Sequence, residues 1–497
     1  MNWKTLLLGI FLLLLLLAGT KSESLWIDEG DTAYYATQQT FAAWKGHLLT
    51  DTNADCQFPL YMFGVWAWEK IAGNSEYALR AANAILALLA LASFGIIGRQ
   101  LGFRYLWALL LIQPFFWFYL NEARPYMLQI SAGAVLLAGF VSLKEKRGTG
   151  LGWLLFFTGT VLLYYATLLS FITLSAFYGV VGIMVLRKEI ALPKKWVAWG
   201  ILLTLALAPG AIYYLQTVLR GVGGAKIWAV SPLNFIWVYY EIIGGVGLGP
   251  PVWQIREIAR SMIHSGMSLT TFTPFLLAAV LVLGIGWIFI SSAWNVIKQI
   301  KKESLQGNLF VILSIMLASI IFAFAGISII LKKAFWARHL SPVFPVYLLL
   351  LYGALHFLMA DNRGIARRVF GFLLIGLLTI SSFQVVCSKL HAKDDYRGAA
   401  QMAKESLKDG GHVWWAGSWH CGAYYGLPIS EGVSTSPHLI LLQDNPDSML
   451  RAQSEPDLIL ISRSDVYDGN QTINSYALAN GFHQSDSMPH IFKVWER

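Results

Sequence analysis

Leu25-Trp-Ile-Asp-Glu-Gly-Asp-Thr-Ala-Tyr-Tyr35 places three carboxylates, Asp28, Glu29 and Asp31, within four residues. The stretch follows closely on an apolar run from Leu6 to Gly19. An acid group costs free energy wherever it nears hydrocarbon, so carboxylates at the edge of a span point to function. The bland alternative is the solvated first turn of a helix, where acids are favoured by the helix dipole. The remainder of the chain weighs between the two.

Outward from this stretch, composition sets the class. The 497 residues are 56% hydrophobic and only 13% charged, against roughly 25% charged in soluble domains. About eleven runs approach the length needed to cross a bilayer, which predicts a polytopic α-helical membrane protein. They lie near 5–20, 76–97, 105–120, 126–143, 151–168, 169–187, 196–216, 268–291, 308–331, 342–359 and 369–387. Tyr164, Tyr165 and Thr167 mark an interfacial turn between the fifth and sixth. The first run ends in Thr20-Lys21-Ser22-Glu23, without the small-x-small signature of a cleaved signal, and is read as a retained span.

The net charge of +9 would suggest nucleic acid in a soluble protein. Here the basic residues cluster in alternate short loops, which is a topology signal. With Lys4 in the cytoplasm, the inner turns carry Arg99 and Arg104; Lys144, Lys146 and Arg147; Arg187, Lys188, Lys194 and Lys195; Lys298, Lys301 and Lys302; Arg363, Arg367 and Arg368. The first outer loop, 21–75, has three basic residues against seven acids, a net −4. Within it, Asp31 to Trp44 predicts an amphipathic helix, and Phe58 to Ile71 an aromatic-rich helix in the headgroup plane. A second outer segment, 217–267, is Gly-rich and reads as a mobile loop or lid. Three cysteines, Cys56, Cys387 and Cys421, make no disulfide framework and lack metal-ligand spacing.

Composition changes after Cys387. Residues 388–497 hold nine Lys/Arg, thirteen Asp/Glu and six of the ten histidines. Asp394 or Asp395 caps a helix that Gly410 stops. HVWWAG, DLILIS and IFKVWE read as strands, and helical turns are expected near Asp444 and Asn470. The division is therefore a membrane domain, 1–387, with outer loops 21–75 and 217–267, and a small α/β extracytoplasmic domain, 388–497.

Three features taken together resemble the polyprenyl-phosphate-dependent glycosyltransferases of the GT-C superfamily. These are the acid pair after a first span with a loop running into FPLYMF (Phe58–Phe63), NEARPYM (Asn121–Met127) and ARHLSPVFPVYLLLLYG (Ala337–Gly353). Within that superfamily the chain is similar to the family containing the protein O-mannosyltransferases and the lipid A aminoarabinose transferases. The resemblance covers roughly residues 5–360 and rests on the order and placement of the motifs. It implies the GT-C fold and an inverting transfer of a sugar from an undecaprenyl or dolichyl phosphate to a lipid, glycan or protein outside the cytoplasm. The expected setting is a bacterial inner (plasma) membrane.

Such a transfer needs a base for the acceptor hydroxyl and positive charge for the departing lipid phosphate. Asp28 matches the aspartate that the family's first outer loop supplies as base, with Glu29 orienting it or binding sugar. Asp31, three residues on, either raises the pKa of Asp28 or shares with it a divalent cation such as Mg²⁺ or Mn²⁺. Asp51 and Asp55 form a reserve pair. Arg124 and Arg338 match the family's phosphate ligands, with Glu122 orienting Arg124 or contacting sugar and Tyr126 hydrogen-bonding at the interface. Lys332, Lys333 and His339 stand beside Arg338 on an outer loop, against the positive-inside bias, which favours an anionic lipid phosphate over general headgroup contact. His420, between Trp419 and Cys421, has no spacing for a metal site and reads as structural or acceptor-facing. The Asn470 sequon carries no weight without a known compartment. Two rivals stay open: a flippase, which would place ionisable groups mid-span, and a non-catalytic lipid-binding scaffold.

Overall fold

In a computed structural model, the described residues are 3–146, 149–221, 232–251, 254–255, 273–299, 305–333, 335–360, 364–442, 455–485 and 492–497. They form two compact units. The first comprises Met1–Thr20, Leu49–Tyr61 and Ala81–His391; the second comprises Lys21–Leu48, Met62–Arg80 and Ala392–Arg497. The composition break at 387/388 coincides with the end of the helix Ile365–Cys387, and the second unit also takes in two stretches of the first loop.

The membrane character follows from length and apolarity. Among the described residues seven helices are long and apolar enough to cross a membrane, and three shorter apolar helices, Trp3–Ala18, Ser170–Leu186 and Leu276–Ser291, accompany them. Among the described residues, ten of the eleven expected spans each carry one long apolar helix, the eighth from Leu276 since 268–272 lie outside the described residues. The stretch 105–120 differs, being split into Ala108–Leu111 and Pro114–Leu120. Pro114 has no N–H to continue a helix and forces Gln113 into an extended conformation, φ −98° and ψ 118°.

In the first unit the helix Tyr126–Lys144 runs through the core, and nearly every residue along it is buried. Its flank at Gly133 meets the backbone of Pro342 so closely that any side chain there would collide with the Pro342 carbonyl. That contact sets the middle of one span against the 3₁₀ turn Ala337–Val343, which leads into Phe344–Ala360. Part of the expected lid, 222–231, 252–253 and 256–267, lies outside the described residues, as do Arg147, Lys301, Lys302, Arg363 and the turn near Asp444. What is described of that segment is a packed helix, Pro232–Ile243, followed by a 3₁₀ turn, Gly245–Gly247. Gly244, at φ +96°, makes the turn, and its carbonyl accepts a hydrogen bond of 2.5 Å from Ser381 Oγ.

The second unit is built on a five-stranded sheet of order β4-β1-β5-β7-β6. The strands are β1 (Val413–Ala416), β4 (Leu439–Leu441), β5 (Leu458–Ile461), β6 (His483–Ser485) and β7 (Lys493–Glu496), with a separate hairpin of β2 (Ile429–Ser430) and β3 (Val433–Ser434). β1 pairs in parallel with β4 and β5, while β7 runs antiparallel to β5 and β6. VWWA and LILI are buried at every position, as central strands covered on both faces must be. The helix Tyr396–Lys408 has its N-cap at Asp395, whose side chain accepts from Gly398 N at 3.0 Å. Gly410, at φ +84°, follows its end. β4, β6 and the hairpin are two or three residues each and escape a periodicity argument.

Loop residues complete this unit. The single amphipathic helix expected over Asp31–Trp44 is two helices, Ile27–Ala36 and Phe41–Thr50. The break falls at Thr-Gln-Gln-Thr, where side chains take over backbone partners. Thr37 Oγ1 donates to Ala33 O at 2.9 Å, Gln38 Nε2 donates to Tyr34 O at 3.0 Å, and Thr40 Oγ1 accepts from Ala43 N at 3.1 Å. The aromatic-rich helix forms over Pro59–Ala72. The hydroxyl of Tyr425 accepts from Leu25 N at 2.7 Å, and Ser24 Oγ accepts from Arg397 N at 3.0 Å.

Candidate active site

The acidic helix Ile27–Ala36 carries Asp28 and Glu29 in its first turn, where the dipole favours anions. Its two neighbouring acids have different surroundings. Asp28 is half-buried, whereas Glu29 has no exposed surface. Arg80 grips Glu29 with a fork, Nε to Oε1 at 2.8 Å and Nη2 to Oε2 at 2.6 Å. Lys393 Nζ adds a third contact at 3.1 Å. The other donors of Arg80 go to the carbonyls of Lys21, Glu23 and Ser24 at 3.2, 2.6 and 3.0 Å, so all five guanidinium N–H groups are used. This narrows the expectation for Glu29. A carboxylate enclosed by two cations holds the helix in place and is not presented to a sugar.

On the helix's other flank, Asp31 Oδ1 lies 2.6 Å from His420 Nδ1. The helix Trp419–Tyr424 approaches so closely that a side chain at Gly30 would collide with Cys421 Sγ. Burial, with Asp31 nearby, pushes the Cys421 thiol well above its ordinary range. It packs as a neutral thiol, not as a nucleophile. Asp31 is thus paired with an imidazole. Among the described residues no three His, Cys, Asp or Glu side chains group to hold a metal ion, so the expected Asp28–Asp31 cation pair finds no third ligand of that kind there.

In the first unit the two basic motifs come together. The NEARPYM turn joins Pro114–Leu120 to Tyr126–Lys144, and the Gly133–Pro342 contact draws the Arg338 turn alongside. The Arg338 guanidinium lies over the Tyr126 ring, 6.0 Å from its centroid. Tyr126 packs edge-on against Tyr119 at 4.8 Å, and the Tyr119 hydroxyl donates to Glu241 Oε1 at 3.2 Å. Glu241 borders a small, largely apolar recess with Pro114, Phe115, Phe118, Val246 and Val385.

Arg124 is buried and meets Asp55 at 2.5 Å, its guanidinium 5.7 Å from the Phe58 ring centroid. Asp55 sits in the 3₁₀ turn Ala54–Gln57, started by Asn53, whose side chain accepts from Asp55 N at 3.2 Å. The turn is pinned by Tyr213 donating to Cys56 O at 2.5 Å and by Leu168 N donating to Gln57 O at 3.2 Å. Asp55 serves Arg124, while the Asp51 carbonyl accepts from Arg220 at 3.3 Å. Glu122 is buried, and its carbonyl accepts from Arg124 N at 2.7 Å and from the Asn83 amide. His339 Nδ1 accepts from Trp336 N at 3.1 Å and its ring stacks on Phe335, the duty of a cap residue. Lys332 and Lys333 are exposed at the end of Leu305–Leu331.

Five residues were not singled out from sequence as site residues: Arg80, Lys393, Tyr119, Glu241 and, as the partner of Asp31, His420. Arg80 left a signal, being a cation near the start of a long apolar helix, on the side that the expected topology places outside. Glu241 left a weaker one, a lone acid in NFIWVYYEII.

No family model matches the chain, and no curated protein sequence matches it. Solved structures do. ArnT from Cupriavidus metallidurans bound to undecaprenyl phosphate superposes with a TM-score of 0.50 at 14% identity, covering 100% of this chain and 98% of that one. ArnT of the same organism in the apo state gives a TM-score of 0.49 at 13% identity, over 99% and 97%. The first of these likenesses spans the whole chain, and with it the chain has the GT-C fold, carried by an integral membrane protein.

Proposed function

We propose that the protein is a glycosyltransferase that moves one sugar from a polyprenyl phosphate, undecaprenyl or dolichyl, to a hydroxyl acceptor on the extracytoplasmic side. The observation that carries this is the convergence of the Arg124 and Arg338 motifs at the starts of two spans, within a fold whose solved example holds undecaprenyl phosphate. In the reaction the acceptor oxygen attacks the anomeric carbon from the face opposite the lipid phosphate. The carbon–oxygen bond to phosphate breaks, configuration inverts, and the acceptor proton passes to the Asp28 carboxylate. Arg338 takes the leaving phosphate. Arg124, braced by Asp55, supports the same charge with a fixed planar fork.

Removing a charged partner from a desolvated pair costs roughly 2–5 kcal/mol. Arg338→Ala is expected to weaken binding of undecaprenyl phosphate by the corresponding factor, about 30-fold to several thousand-fold. Titration of the purified chain in detergent measures it, and wild-type affinity in the variant would remove Arg338 from the site.

We also infer that the N-terminus is cytoplasmic and that residues 388–497 form a domain outside. A reporter fused after Arg497 should be active only outside the cytoplasm, and one at Lys146 only inside. The reverse pattern would place the acidic helix on the wrong face for a lipid-linked donor delivered outside.

A further inference from the structure

We propose that Asp31, His420, Tyr34 and Trp419 form a saccharide-binding subsite for the acceptor, one helical turn beyond Asp28. The proposal rests on the reading of Asp28 as the base. Along the acidic helix, positions 28, 31 and 34 recur every three residues, each about 4.5 Å further along the axis and 60° round it. An acceptor whose hydroxyl is held at Asp28 would place its next ring beside Asp31.

The groups there suit such a ring. Asp31 and His420 keep 25% and 13% of their side-chain surface exposed, in contrast with the sealed Glu29 at 0%. The bond to Asp31 uses His420 Nδ1 and leaves Nε2 for a ligand. Trp419 and Tyr34 make a corner, with centroids 5.3 Å apart and planes at 72°. The His420 ring lies 4.9 Å from Tyr34 and 3.6 Å from Trp419. The Tyr34 hydroxyl is fixed 3.3 Å from His47 Nε2. A pyranose has an apolar C–H face and a rim of hydroxyls. Aromatic rings accept the first, and a carboxylate with an imidazole accepts the second. A tether between helices would not need this arrangement. Glu29–Lys393 and the Gly30–Cys421 contact already join the same parts.

The test is capture of immobilised hexose and N-acetylhexosamine oligosaccharides by the full chain in detergent. Wild-type chain should be retained. His420→Gln, at wild-type melting temperature, should bind about 10–100-fold more weakly, the loss expected for hydrogen bonds to a charged group, and Trp419→Ala should weaken binding by removing the aromatic face. No capture by the wild type, or equal capture by both variants, overturns the subsite. Should the variants fail to fold, a photoreactive oligosaccharide on the wild-type chain decides. Labelling of the peptides bearing Tyr34 or Trp419 supports the subsite, and labelling confined elsewhere overturns it. Capture without sugar transfer from a polyprenyl phosphate donor would sink the transferase reading and leave the subsite standing.

Discussion

Asp28→Asn is expected to lower turnover about 10²–10⁴-fold, the usual contribution of a positioned general base. Asparagine keeps the size and polarity of the side chain and removes only the ability to take a proton. The variant is compared with wild type only where both are recovered folded from the membrane. Undecaprenyl phosphate affinity should be unchanged, since the phosphate is assigned to arginines. Turnover and donor binding are measured on the same preparation, with melting temperature as the folding control. Rescue by Mn²⁺ or Mg²⁺ would assign Asp28 to a cation site and not to proton transfer. Full turnover in a well-folded variant would move the search to other carboxylates. Asp51 and Asp55 are the next to test.

Glu29→Gln should behave differently although the residues adjoin. The substitution leaves Arg80 and Lys393 facing a neutral amide in a place without solvent. Removing one member of a buried ion pair costs about 3–5 kcal/mol because the remaining charge is uncompensated. Whole domains are stable by only about 5–15 kcal/mol. The expected result is a lower melting temperature and poor recovery from membranes, with turnover lost in proportion to folded protein. Arg80→Ala should do the same and also free the carbonyls of Lys21, Glu23 and Ser24. The double variant should lose less than the sum of the two, since both remove one interaction. Normal melting with a specific loss of turnover in Glu29→Gln would restore Glu29 to direct chemistry.

Sequence alone determined the membrane class, ten of the eleven spans as helical, the three longest strands and a helix cap at Asp394 or Asp395. Each of these is written in local pattern. Apolar length against bilayer thickness, alternation or continuous burial, and a side-chain oxygen three residues from a backbone N–H all act over short separations. The sequence also marked Asp28, Arg124 and Arg338, because a charge beside an apolar run is conspicuous.

Partnerships were decided only in three dimensions. Glu29 and Lys393 are 364 positions apart and meet at 3.1 Å. Asp55 reaches Arg124 across 69 residues, and Asp31 takes its imidazole from WHCG near the other end of the chain. Nothing in a one-dimensional pattern distinguishes Glu29, sealed under two cations, from Asp28 beside it. The distinction comes from desolvation. A buried carboxylate persists only where fixed cations surround it, and the fold alone determines which of two adjacent acids turns towards them.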